Sequence, residues 1–280
     1  MLSIKDHNRF QEGFEYVYPV VSRRAGGLSL GINLNTNNAC NWRCIYCQVP
    51  DLIRGAPPPV DLDALEEELS VFLSQILIGS YLEDQVPKGQ RRLNDIAFSG
   101  NGEPTSAPNF ADAVKTIHGV RVRANVPEVV KTVLITNGSL MHQHKVMKGV
   151  KDLAGINGEV WFKIDRATVE GAQLINDTKI NKSRILSNLE ASAKACPTWI
   201  QTCLFKLDGL HPAESDLDAY VQLIGEAVAR GIPFKGILLY GLARQSHQPE
   251  SARLSKLDDG WLNAFAHRLR ELGVTVNCSE

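Results

Sequence analysis

The sequence predicts an α/β fold, a partial (β/α)6 TIM-like barrel with a largely parallel sheet. Three observations carry this expectation. About six apolar runs alternate with helical-period segments, always strand before helix, and that order requires parallel crossovers. Each run ends in a polar or glycine-bearing cluster, as in sheets whose sites gather at the C-terminal ends of their strands. No low-complexity linker or internal repeat interrupts the 280 residues, so one domain accommodates the length.

Taken in order, residues 1–27 read as an irregular N-terminal extension and residues 28–280 as the core. Leu28-Ser-Leu-Gly-Ile-Asn-Leu34 alternates with period two and makes the first strand. From Leu62 the set Leu62, Leu65, Leu69, Phe72, Leu73 and Ile76 keeps helical spacing, with Asp61 as cap and Glu66, Glu67 and Glu68 in the early turns. Residues 83–92 form a polar loop. Asp95-Ile-Ala-Phe-Ser-Gly100 is a strand running into Gly100-Asn-Gly-Glu-Pro104, and Phe110, Val114 and Ile117 mark the helix after it. Thr132–Thr136 is a strand ending at Asn137-Gly138. Glu159–Asp165, Trp199–Phe205 and Phe234–Tyr240 continue the strands, with helices around 180–195, 214–230 and 262–272. A final strand closes the core.

With 44% hydrophobic and 22% charged residues, the composition excludes disorder, a collagen-like chain and a disulfide miniprotein. No apolar run reaches the roughly 18 residues of a membrane helix, and the polar start lacks a signal-peptide core, so a cytoplasmic protein with no membrane contact is expected. A formal net charge of -1 argues against a strongly basic nucleic-acid binder.

Three of the six cysteines fall in Cys40-Asn-Trp-Arg-Cys44-Ile-Tyr-Cys47. In a reducing compartment that spacing reads as metal ligation. Zinc normally closes with four ligands, and the nearest later histidine is His118, so an iron–sulfur cluster on three thiolates fits better than zinc or unligated buried thiols. Three ligands for four irons leave one iron open. Cys196, Cys203 and Cys278 are expected to be packed core thiols. Trp42 and Tyr46 flank the cysteine loop and either shield it or pack. His142 and His144 read as polar surface.

Cys40-x3-Cys44-x2-Cys47 after the first strand, aromatic Tyr46, and Gly102-Glu103-Pro104 after the second strand resemble the radical S-adenosylmethionine superfamily. The resemblance covers about residues 28 to 245. It implies that Cys40, Cys44 and Cys47 bind a [4Fe-4S] cluster whose open iron chelates S-adenosylmethionine. Reductive cleavage then gives a 5′-deoxyadenosyl radical that abstracts hydrogen from substrate, the electron coming from a donor such as flavodoxin or ferredoxin. Gly102, Glu103 and Pro104 match the segment that contacts the methionine amino group. Asn137 suits ribose or carboxylate oxygens, Lys163 a carboxylate, Asp165 a ribose hydroxyl, and Tyr240 with Leu242 the adenine pocket.

The stretch Tyr18-Pro-Val-Val-Ser-Arg-Arg-Ala-Gly-Gly-Leu leading into the cysteine loop is similar to the branch containing the 4-demethylwyosine synthases, which act on a tRNA guanosine. Residues 1–39 hold no cysteine, so the second cluster of the archaeal members has no ligands here. A tRNA nucleoside is therefore one expected substrate; a small molecule, a peptide or a partner protein activated by the enzyme is the alternative. Arg23, Arg24 and Arg244 are candidates for phosphate or carboxylate contacts, joined by Lys206, Asp208 and His211 at a strand end.

Overall fold

Edge strand β1 (Val17–Ser22) runs antiparallel to β2 (Gly27–Ile32) in a computed structural model that describes residues 13–22 and 26–279. A small parallel pair follows, β3 (Ala39–Cys40) with β4 (Ile53–Arg54). Then come α1 (Leu62–Leu77), α2 (Tyr81–Gln85), β5 (Leu93–Phe98), α3 (Phe110–Arg123), β6 (Lys131–Thr136), α4 (His144–Ala154) and β7 (Gly158–Lys163). The second half holds α5 (Val169–Asn176), α6 (Lys182–Ala195), β8 (Thr198–Cys203), β9 (Lys206–Leu207), α7 (Glu214–Ala229), β10 (Gly236–Tyr240), β11 (Leu254–Ser255), α8 (Trp261–Arg270) and β12 (Val276–Ser279). The main sheet has the order β1-β2-β5-β6-β7-β8-β10-β12, and every pairing after β1–β2 is parallel. This is the expected α/β architecture with a largely parallel sheet.

Period-two alternation divides each strand between two environments. On β2, Leu28, Leu30 and Ile32 join the main hydrophobic core, whereas Ser29 and Gly31 face a cavity on the other side of the sheet. On β5, Ile96 and Phe98 enter the core while Asp95 and Ala97 face the cavity. The helices cover the apolar side. Leu65, Leu69 and Leu73 of α1 are fully buried in that core, each contributing on the order of 1.5–3 kcal/mol. Asp61 caps α1 as expected, its carboxylate accepting the N–H groups of Asp63 and Ala64 at 3.1 Å.

Residues 17–22 depart from the irregular extension expected of them. Pro19 interrupts the donor pattern of a strand, and only an edge position tolerates that. Glu68 on α1 fixes the entry to β1, its carboxylate accepting the N–H groups of Tyr16 and Val17 at 2.8 and 2.9 Å. The short helix α2 overlaps the expected polar loop. Helix α5 was also not apparent in the sequence, and it bears directly on the site. No helix of the described residues is long and apolar enough to cross a membrane.

Candidate functional site

A cavity of about 290 Å³ opens at the C-terminal ends of the strands and continues along the sheet's inner face. Cys40, Cys44 and Cys47 line it from one side, together with Gly102, Asn137, Lys163 and Tyr240 from four strand ends. Strand order thus brings together residues from distant parts of the sequence.

The cysteine loop is held at many backbone points. The N–H groups of Arg43 and Ile45 donate to the carbonyls of Asn176 and Ile175, at 3.1 and 2.9 Å, so the last turn of α5 receives the loop. Ser246 Oγ donates to the carbonyls of Ile45 and Cys47, and Gln248 Nε2 to that of Val49 at 2.9 Å. Arg43 forms a two-pronged ion pair with Glu250, at 3.0 and 2.8 Å. Beneath the loop, Ile45, Tyr46, Ile175, Cys203 and Phe205 form a second hydrophobic cluster.

Two sulfurs already accept hydrogen bonds. Trp42 N–H points at Cys40 Sγ (3.4 Å) and Asn176 Nδ2 at Cys44 Sγ (3.2 Å). Burial pushes the Cys40 thiol up to about 11 and the Cys44 thiol up to about 12. Buried thiols of this kind give up their protons on metal ligation. Among the described residues, no three His, Cys, Asp or Glu side chains meet closely enough for one metal ion. Three cysteine thiols lining one cavity are the kind of donor set that an iron–sulfur cluster takes. Beside them, a Cβ on Gly102 would lie 2.1 Å from the Ala39 carbonyl oxygen, so only glycine permits this approach of the two loops.

Glu103 lines the cavity, yet its carboxylate is engaged internally. Oε1 accepts from Thr105 N–H and from the hydroxyls of Thr105 and Thr136, and Oε2 accepts Asn137 N–H at 2.6 Å. It organises the ends of β5 and β6 through these bonds. Burial raises its pKa, and these donors oppose the rise. Pro104 is buried at the start of a short 3-10 turn and does not line the cavity. Asn137 does, with its Nδ2 donating to Asn41 Oδ1 at 2.8 Å.

Asp165 corrects another expectation. It is 2% exposed and lies behind the cavity wall. Its carboxylate accepts from Tyr46 OH, from Asn176 Nδ2 at 2.8 Å and from Cys203 N–H at 2.9 Å. A carboxylate so occupied braces Tyr46 and α5, and reaches no ribose. Lys163 does face the cavity, its Nζ 4.8 Å above the Tyr46 ring centroid. Burial alone would lower its pKa, but Tyr240, Asp165, Cys44 and Cys203 outweigh it and raise the value, keeping the ammonium charged. Tyr240, Leu242 and Arg244 line the cavity as well.

Lys206, Asp208 and His211 lie away from the cavity. The chain turns after β8 into β9, which pairs with β11, and directs these side chains outward. Lys206 and His211 pair with Asp258, His211 also stacking on Trp261, and Asp208 pairs with Arg253. Arg23 and Arg24 lie outside the described residues. Conversely, the sequence reading passed over Asn176, Ser246 and Gln248, whose roles depend on contacts across more than a hundred residues.

The Radical SAM superfamily model matches residues 34–218. The chain belongs to the radical SAM superfamily. Radical SAM proteins of this kind are enzymes that bind a [4Fe-4S] cluster and S-adenosylmethionine and draw on a reductant. Of relatives, a UPF0026 protein of Helicobacter pylori strain J99 is 30% identical over 135 residues, which are 48% of this chain and 38% of that protein. The chain thus spans well under half the length of this relative. Among solved structures, that of TYW1 with a lysine-pyruvate adduct bound aligns with a TM-score of 0.58 at 17% identity, covering 87% of this chain and 73% of that one. Streptococcus suis SuiB bound to S-adenosylmethionine aligns with a TM-score of 0.55 at 11% identity, over 91% and 48%. Both likenesses concern the radical SAM fold.

Proposed function

We propose that this radical SAM enzyme abstracts hydrogen from a nucleoside, first of all one in tRNA, with Cys40, Cys44 and Cys47 as the cluster ligands. The observation that carries the reading is the single cavity that joins three thiols at its mouth to a polar inner wall. Bound there, the cluster and S-adenosylmethionine supply the 5′-deoxyadenosyl radical. The chain's own residues bind and orient. Gly102 gives room for close backbone approach, Lys163 meets the methionine carboxylate as a fixed cation, and Asn137 offers an amide carbonyl and N–H to the same ligand. Tyr240 and Leu242 flank the adenine. Glu103, Asp165 and Asn176 hold these groups in place.

For RNA, Arg54 and Lys145 line a shallow depression beside the cysteine loop and supply cations for phosphate. Similarity to the wyosine-forming branch points the same way. In this reading the enzyme is cytoplasmic, where its unbridged cysteines stay reduced, and takes its electron from a flavodoxin or ferredoxin. Anaerobic reconstitution with iron and sulfide, followed by reduction with S-adenosylmethionine, should yield 5′-deoxyadenosine, and bulk tRNA should raise that yield. Cleavage without any tRNA effect would move the reading to a small-molecule substrate; a colourless, inactive protein would overturn it altogether.

A further inference from the structure

We infer that the inner wall of the sheet, below the cysteine loop, carries a subsite for a flat heterocycle with a hydrogen-bond donor beside an acceptor, read by the amide of Gln201. The inference rests on the nucleoside reading above and assigns its base-recognition residue.

Gln201 sits in the middle of β8, is 1% exposed and lines the cavity. Its backbone carbonyl accepts from Ile164 N–H at 3.0 Å, but its side-chain amide makes no hydrogen bond to any described residue. Buried amides are nearly always paired, and an unpaired one inside a cavity has its partner in what the cavity holds. A carboxamide offers an acceptor and a donor side by side. Its full complement is an edge with the reverse pair, such as the N1–H and O6 of guanine.

Depth separates this subsite from the adenine's, and side-chain direction separates it from the carboxylate's, since Lys163 sends its Nζ to the Tyr46 ring of the cysteine loop. In the sheet register Gln201 stands beside Lys163 on β7 and Leu238 on β10, whereas Cys203, two residues nearer the mouth, stands beside Tyr240. Gln201 therefore lies one pleat repeat, roughly 6–7 Å, below the Tyr240 level assigned to adenine. A molecule held at the cysteines fills the mouth, and the second reactant is left the space beneath. There the wall supplies what a base needs. Trp161, one pleat below Lys163, presents its indole to the cavity, and aromatic faces are the usual stacking surface for bases. Ser29 and Asp95, hydrogen-bonded to one another, add polar atoms on β2 and β5.

The test is equilibrium dialysis of guanosine 5′-monophosphate against anaerobically reconstituted protein saturated with S-adenosylmethionine. Gln201→Leu, and the closer-shaped Gln201→Met should the leucine variant fold poorly, are expected to bind the nucleotide at least tenfold more weakly. Iron content and the affinity for labelled S-adenosylmethionine should stay at their wild-type values. Equal nucleotide binding in variant and wild type, no binding by the wild type, or a matching loss of S-adenosylmethionine affinity would each overturn the assignment. Loss of nucleotide binding in a protein whose 5′-deoxyadenosine yield ignores tRNA would uphold the subsite while rejecting tRNA as the substrate.

Discussion

Asn176 and Cys44 are joined by a hydrogen bond of 3.2 Å across 132 residues of sequence, and the same Nδ2 donates to Asp165 Oδ2 at 2.8 Å. One carboxamide therefore connects Cys44, a cluster ligand in the proposed function, to the carboxylate that braces Tyr46. Donors to a ligating sulfur stabilise the more negative, reduced cluster.

Replacing Asn176 with leucine removes that donor. A neutral hydrogen bond is worth about 1 kcal/mol, or roughly 40 mV for one electron, so the midpoint potential should become more negative by a shift of that order. EPR-monitored redox titration of the reconstituted protein measures it. An unchanged midpoint in a variant with full iron would show that the sulfur does not sense Asn176.

Glu103→Gln puts an N–H₂ where a buried carboxylate now receives four donors. At least one donor then faces another, a cost of about 1–3 kcal/mol. Urea unfolding of the cluster-free protein should register that loss. Because Asn137 N–H is one of the four, affinity for S-adenosylmethionine should fall along with stability.

Where residue identity and local spacing decide, the sequence was informative. The cysteine triplet and Gly102 are found together in one cavity, and every strand that lines it was anticipated except β1, concealed by Pro19, and the two-residue β3. Asn176 was not legible because its role is a tertiary contact: its carbonyl receives Arg43 N–H while its amide reaches Cys44. Spacing misled at two places. Asp165 shares a strand end with Lys163 but turns behind Tyr46, and Lys206 follows β8 into a second small sheet, where Asp258 is its partner. A strand end locates the mouth of a sheet without stating which way the next side chain points.

Glu250 tethers the cysteine loop through Arg43, and that hydrogen-bonded guanidinium holds its carboxyl below the usual glutamate value. A lowered folded-state pKa contributes stability above the unfolded pKa and loses it as pH falls through the folded one. Glu250→Gln should therefore cost about 1 kcal/mol at neutral pH, in keeping with a partly screened two-pronged pair. The difference from wild type should disappear between neutral pH and a pH below the lowered folded-state value, where both side chains are neutral. Chemical denaturation at the two pH values reads both outcomes, and a penalty that persisted in acid would mean that the tether is steric, not ionic.

Gly102→Ala tests whether the two loops at the mouth must touch. The added methyl would lie 2.1 Å from the Ala39 carbonyl oxygen and 2.6 Å from Asn35 Nδ2, and both are parts of the framework. Asn35 Nδ2 itself donates to that carbonyl at 2.9 Å, so neither neighbour can retreat alone. Relief requires the segment bearing Cys40 to move outward. Overpacking of this kind costs about 1–3 kcal/mol, and the melting temperature of the cluster-free protein should drop accordingly. The displaced Cys40 should also lower the iron retained after reconstitution, even at temperatures where the variant is fully folded. Wild-type iron content together with a wild-type melting temperature would mean that the loops do not need this contact.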